Sequence, residues 1–285
     1  MLLHGVGRRL ATLLAGILLV VTGMVAASAP ANAQERNLVI FGDSIIADTP
    51  SLEYLADRFG SSTSSGSSGS GDSSVGHCAT SPDNFGARAA RKLNLAAWDY
   101  SCPGTTSISP GTKFSTQVDR ALATGGLTPA AQRVVVTTGF NDTYNNDSLP
   151  AGEVRSRFVG AMAPQIERIK AAAPNARIQI VGYATITDGD FVCLAHIGAN
   201  IHDRTFFPRV GYWEWLAQDM QRDLAHATGT EFVDLKPATA DNGMCAPDDR
   251  RMWAGLIDFH GGPGNMPIHI NARGHEHVAG VIAAS

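Results

Sequence analysis

Leu38-Val39-Ile40-Phe41-Gly42-Asp43-Ser44 carries the chain from an apolar run straight into a small polar turn. The apolar run Leu38 to Ile40 has the length and composition of a buried strand. It breaks at Gly42-Asp43-Ser44, and helix-compatible sequence follows. A strand, a tight turn and a helix in that order place the Ser44 hydroxyl at the carboxyl edge of a sheet, where open α/β sheets bind their ligands. Gly, Asp and Ser are also ordinary turn residues. The tripeptide therefore gains meaning only from partners supplied elsewhere in the chain.

Downstream, helices and strands alternate. Residues 51–59 suit a short helix, and 60–74 are almost entirely Ser and Gly, the composition of a flexible surface insertion. Asp83 or Asn84 can cap a helix running to Leu93. Leu95 to Tyr100 reads as a second strand, followed by the turn Ser101-Cys102-Pro103-Gly104. A helix near 115–124 leads into Arg133-Val134-Val135-Val136-Thr137-Thr138, a β-branched run bounded by Gly139. Phe158, Met162, Ile166 and Ile169 form the apolar stripe of a helix over 153–173, which Pro174-Asn175 stops. Residues 177–183 return as a strand. A long helix over 207–228 carries Trp213, Trp215, Leu216, Met220 and Leu224 and is closed by Gly229. Residues 231–235 make a fifth strand, and 271–284 a last helix. Five strands alternating with helices call for a parallel sheet covered on both faces, because right-handed crossovers put helices on the two sides.

Upstream, Arg8 and Arg9 precede an apolar run from Leu10 to Val25, and Ala31-Asn32-Ala33 offers small residues where a signal peptidase reads. Residues 1–33 are therefore expected to be a secretory signal cleaved before Gln34. The run falls short of the roughly 20 apolar residues a bilayer span needs. Residues 34–285 suit one soluble, exported α/β domain. That part holds 20 basic and 26 acidic residues, a net charge near −6. Such acidity argues against a nucleic-acid partner, which requires a basic footprint.

The four cysteines all lie in the exported part, and an even number there reads as two disulfides. Three pairings are possible. Cys78–Cys102 and Cys193–Cys245 are favoured, because each closes a loop beside a segment carrying candidate site residues. No C-x-x-C pair occurs, which argues against zinc. Phosphate-loop and G-x-G-x-x-G signatures are missing, as is the G-x-S-x-G elbow.

Three expected strands end in small polar groups: Gly42-Asp43-Ser44, Gly104-Thr105-Thr106 and Gly139-Phe140-Asn141-Asp142. In a parallel sheet those ends share one edge. Acyl transfer at a serine needs a base for the hydroxyl proton and donors aimed at the developing oxyanion. Ser44 N–H, Gly104 N–H and the Asn141 amide could be those donors, with Asp43 shaping the turn. In isolation Gly104 and Asn141 also suit plain turns. Of the aromatic group Phe206, Phe207, Tyr212, Trp213 and Trp215, helical spacing expects core packing, with part available to wall an acyl pocket.

With these residues in view, the sequence resembles the SGNH (GDSL-like) hydrolase family, and in particular its secreted actinobacterial-type esterases and lipases. Phe41-Gly42-Asp43-Ser44 matches the first block, Gly104 the second and Gly139-Phe140-Asn141-Asp142 the third. Pro267-Ile268-His269-Ile270-Asn271-Ala272-Arg273-Gly274-His275 matches the last, in the correct order. The resemblance implies a flavodoxin-like three-layer α/β/α sandwich with a central five-stranded parallel sheet. It also implies serine ester hydrolysis with Ser44 as nucleophile and His269 as base, on a small-molecule or lipid ester and without cofactor or metal.

Two positions depart from the family pattern. Met266 stands where an aspartate commonly precedes the histidine, and Ile270 replaces a proline. By analogy with relatives that use a main-chain carbonyl, the carbonyl of Met266 is the first candidate to orient His269, and Asp258 the second. A neutral acceptor stabilises imidazolium less than a carboxylate does, so reduced activity is expected. The alternatives are deacetylation of acetylated polysaccharide, or a secreted binding module of the same fold that has lost catalysis. His275 and His277 bracket an H-x-H spacing without further converging ligands, which suits a surface or capping role better than a metal site.

Overall fold

In the computed structural model of the protein, residues 35–53, 78–262 and 264–285 are described. The expected signal segment, most of the helix expected over 51–59 and the Ser/Gly-rich stretch 60–74 lie outside them.

From the amino end the elements are β1 (Asn37–Gly42), α1 (Ser44–Ala47), helical residues 51–53 (α2), α3 (Phe85–Lys92), β2 (Ala96–Asp99) and α4 (Phe114–Ala123). Next come β3 (Ala131–Thr137), α5 (Phe140–Asn145), α6 (Ala151–Ala172) and β4 (Arg177–Val181). Four short strands follow: β5 (Phe191–Val192), β6 (Ala195–Gly198), β7 (Ile201–His202) and β8 (Thr205–Phe206). The chain ends with α7 (Pro208–Thr228), β9 (Glu231–Val233), α8 (Lys236–Thr239), β10 (Ile257–Asp258) and α9 (Ala272–Ala284).

The main sheet has five parallel strands in the order β2-β1-β3-β4-β9. This is the flavodoxin-like order, as the alternating pattern requires. Strand β1 is buried on both faces, and its side chains alternate. Leu38 and Ile40 pack with Phe85, Val278 and Ile282 from α3 and α9. Val39 and Phe41 pack with Phe114, Phe158, Met162 and Met220 from α4, α6 and α7. Two apolar layers therefore sandwich the sheet, and each large side chain fully buried in them contributes roughly 1.5–3 kcal/mol.

Boundaries differ from the sequence expectation by one or two residues at most elements. The pairs β5–β8 and β6–β7, and the strand β10 that joins β6, were not expected. Two-residue ladders carry no readable period; β6–β7 is a tight hairpin pairing Gly198 with Ile201, and β10 joins β6 from a distant segment, Ile257 pairing with Ala195. The order of the main sheet sends the chain from β1 to opposite sides for β2 and β3. The three polar strand ends thus lie side by side at a topological switch point.

Candidate active site

Strand β1 can end against β3 only through glycine. A Cβ on Gly42 would lie 2.2 Å from the Thr137 carbonyl oxygen and 2.5 Å from Ile46 Cγ2. Buried Gln117 of α4 grips the same residue: Gly42 N donates to Oε1 at 2.9 Å, and Nε2 donates to the Gly42 carbonyl at 2.7 Å. Asp43 then caps α1, its Oδ1 accepting from Ile45 N at 3.0 Å. Its other oxygen accepts from the Tyr183 hydroxyl at 2.6 Å, and that hydroxyl accepts from Phe140 N at 3.0 Å. Burial pushes the Asp43 carboxyl up to about 6 even though these donors favour its charged form. Tyr183 thereby ties the turn carrying Ser44 to the loop carrying Asn141.

Ser44 is the first residue of α1 and is half-buried. Its Oγ lies 2.8 Å from His269 Nε2. On the far side of the ring, Nδ1 lies 2.8 Å from the carbonyl oxygen of Pro267. A carbonyl can only accept, so Nδ1 carries the proton and Nε2 is left to accept from the serine hydroxyl. Burial holds the imidazole below its ordinary pKa, with the Pro267 carbonyl opposing that shift.

Neither orienting group expected from sequence touches the ring. The acceptor is one residue beyond Met266, because Ile268 takes φ +56° and turns the Pro267 carbonyl back toward the imidazole. The Met266 side chain is buried instead. Asp258 is consumed elsewhere, by Arg251 at 3.1 Å and by the backbone N–H groups of Gly255 at 2.8 Å and His260 at 3.1 Å. Arg251 and those donors hold its carboxyl below the usual range against the effect of burial.

That cluster nevertheless reaches the histidine through the backbone. Arg251, fully buried, also donates to the Trp253 carbonyl at 2.7 Å. The segment 252–255 it braces is zipped to the histidine loop by Ala254 N to His269 O at 2.8 Å and Asn271 N to Met252 O at 3.0 Å. Arg251→Met strips the Asp258 carboxylate of its buried cation. The expected loss is about 3 kcal/mol in denaturant unfolding. A loss below about 1 kcal/mol, the scale of an exposed pair, would contradict this reading.

The second and third strand ends meet at the same point. Gly104 has φ +75°, a left-handed conformation that suits glycine. Neither its N–H nor that of Ser44 has an acceptor among the described residues. Asn141 Nδ2 donates to the Thr105 carbonyl at 2.8 Å, and its Oδ1 accepts from the Tyr144 hydroxyl at 2.8 Å. These contacts fix the amide orientation and leave one N–H for a ligand.

Asp142, to which sequence reasoning gave no role, locks the two loops together. Its buried carboxylate accepts from Ser107 N at 2.7 Å, Ile108 N at 3.1 Å, Ser109 N at 2.9 Å and Ser109 Oγ at 2.7 Å. The signal available was an acidic residue next to Asn141, opposite a serine-rich loop with free backbone donors.

Cystine bridges join Cys78 to Cys102 and Cys193 to Cys245. The first tethers the segment just before Gly104, where Cys102 N donates to the Gly42 carbonyl at 3.0 Å. Of the aromatic group expected in the core, Phe206, Phe207 and Trp215 are exposed. Phe207, Trp213, Tyr144 and Phe140 instead form a chain of ring contacts, 5.8–6.3 Å between centroids, beside Asn141.

Among solved structures, the chain is similar to phospholipase A1 from Streptomyces albidoflavus (16% identity, TM-score 0.54, 88% of this chain and 98% of that one). It is also similar to an extracellular lipase from Streptomyces rimosus (17%, TM-score 0.55, 87% and 99%). A family two carbohydrate esterase from Clostridium thermocellum shares the fold at 15% identity and TM-score 0.51, over 88% of this chain and 62% of that one. At these identities the likeness is one of fold. A search of curated protein sequences finds no match. The sequence pattern of one family, however, matches residues 40–277, from within β1 past His269 into α9, and the chain belongs to that GDSL-like lipase/acylhydrolase family.

Proposed function

We propose that the protein is an exported serine hydrolase of carboxylic esters, acting through an acyl-enzyme formed on Ser44. The observation that carries this reading is the relay from Ser44 Oγ through the His269 ring to the Pro267 carbonyl, both contacts at 2.8 Å. In the first half-reaction Ser44 Oγ attacks the ester carbonyl carbon while His269 Nε2 takes its proton. The oxyanion accepts from Ser44 N–H, Gly104 N–H and the remaining Asn141 N–H. His269 returns the proton to the departing alkoxide, and the alcohol leaves. Water then attacks the acyl-serine with His269 again as base, releasing the acid and restoring Ser44. Cleavage of residues 1–33 would deliver residues 34–285 as one exported unit, for which two disulfides are suited.

His269 must be neutral to act as base, and its pKa is lowered. Activity therefore falls as pH drops through a value below the ordinary 6.5 of histidine, and the base is predominantly deprotonated at neutral pH. The experiment is the pH profile of kcat/KM on a short-chain aryl ester. We expect turnover with an acid-limb midpoint below 6.5; no turnover by folded protein, or a midpoint above 7, contradicts the reading. Comparing acetylated glycans with longer acyl glycerides as substrates then assigns the ester class.

A further inference from the structure

The carboxylate missing at position 266 has a counterpart on the nucleophile's own helix. Asp48 is the C-cap of α1, with φ +47°, and its N–H donates to the Ser44 carbonyl at 3.1 Å. Its side chain is buried. Oδ2 accepts from Asn265 Nδ2 at 2.8 Å and lies 3.4 Å from His275 Nε2, while Oδ1 has no partner among the described residues. Asn265 Nδ2 also donates to the Asp48 carbonyl at 3.2 Å, and the Ser51 hydroxyl donates to the Asn265 carbonyl. The loop carrying His269 is thus fastened to the segment following Ser44 at three points.

No Lys or Arg pairs with Asp48 among the described residues; its one ionisable contact is His275 of α9. His275 Nδ1 accepts from Phe85 N at 3.1 Å, which directs Nε2 toward Asp48. Ser81 Oγ, from the segment before α3, accepts from Asn265 Nδ2 at 3.4 Å and from Asp83 N at 3.1 Å. A buried carboxylate without a cation is costly, and the cation this site would generate is the His269 imidazolium.

We propose that Asp48 is a positioning residue for the Ser44–His269 pair: it supplies from α1 the negative charge absent at Met266 and, through Asn265, fixes the loop that carries the histidine. The inference rests on the hydrolase reading above. Its charge acts on the imidazole in the direction required, favouring the protonated ring while burial opposes it. In a partly buried site such a charge is felt over several ångströms.

The test is Asp48→Asn, which keeps an acceptor for Asn265 and removes the charge. We expect kcat to fall about tenfold, KM to stay within about twofold, and the acid limb of the profile to move to lower pH. An NMR titration of the His269 ring in the Ser44→Ala background should show its pKa lowered by Asp48→Asn. Because this readout needs no turnover, it separates a failure of this inference from a failure of the hydrolase reading. Unchanged kcat and an unchanged ring titration overturn the proposal. Asn265→Ala keeps the charge and removes the two side-chain points of the tether, leaving the Ser51 contact to the backbone carbonyl: kcat should fall with the acid limb no lower than in the wild type. Wild-type kcat in Asn265→Ala overturns the proposal even where Asp48→Asn does not fold.

Discussion

Ser44→Ala is expected to lower kcat/KM for a short-chain aryl ester by about 10⁴-fold or more. Ser44 Oγ is the hydroxyl held at hydrogen-bond distance from His269 Nε2, and that ring is committed to the right tautomer by the Pro267 carbonyl. Alanine leaves the oxyanion donors in place, so a residual rate above water should persist. The fold should be untouched, since the turn is made by Gly42, Asp43 and Gln117 and not by the serine hydroxyl. Wild-type turnover by a folded Ser44→Ala protein would remove the proposed mechanism.

Asn141→Ala should cost about 10³-fold in kcat with little change in KM. Removal of one preorganised oxyanion donor typically has this size, because the interaction strengthens only as charge develops on the carbonyl oxygen. Here the amide is preorganised on both sides, by Thr105 and by Tyr144. No water-filled rearrangement is then required at the moment of reaction. Steady-state kinetics at a fixed pH distinguishes the outcomes: a fall confined to KM would make Asn141 a substrate-binding residue and not an oxyanion donor.

The sheet, and the strand ends that bring the candidate site residues together, were readable because they are written locally. The alternation of Leu38 to Phe41, the β-branched run after Arg133 and the stripe Phe158, Met162, Ile166 and Ile169 each carry their period in a short window. Ser44, Gly104 and Asn141 follow strand ends, so a parallel sheet places them side by side without further information. The group that orients His269 was missed by one residue. It depends on Ile268 at φ +56°, and nothing in a β-branched residue announces a left-handed conformation. Asp258 was a plausible partner by sequence distance alone, but Arg251 claims it. Tyr183, Gln117 and Asp48 act through contacts that no local window contains. Phe206, Phe207 and Trp215 read as core by spacing, yet the segment opening α7 leaves them exposed.

If Ser44 is an activated nucleophile, it should react with a fluorophosphonate probe. Mass spectrometry of the labelled, folded protein should find one adduct, on the peptide containing Ser44, and none in Ser44→Ala. Folded wild-type protein that stays unlabelled, or an adduct that survives in Ser44→Ala, would mean that Ser44 is not the nucleophile.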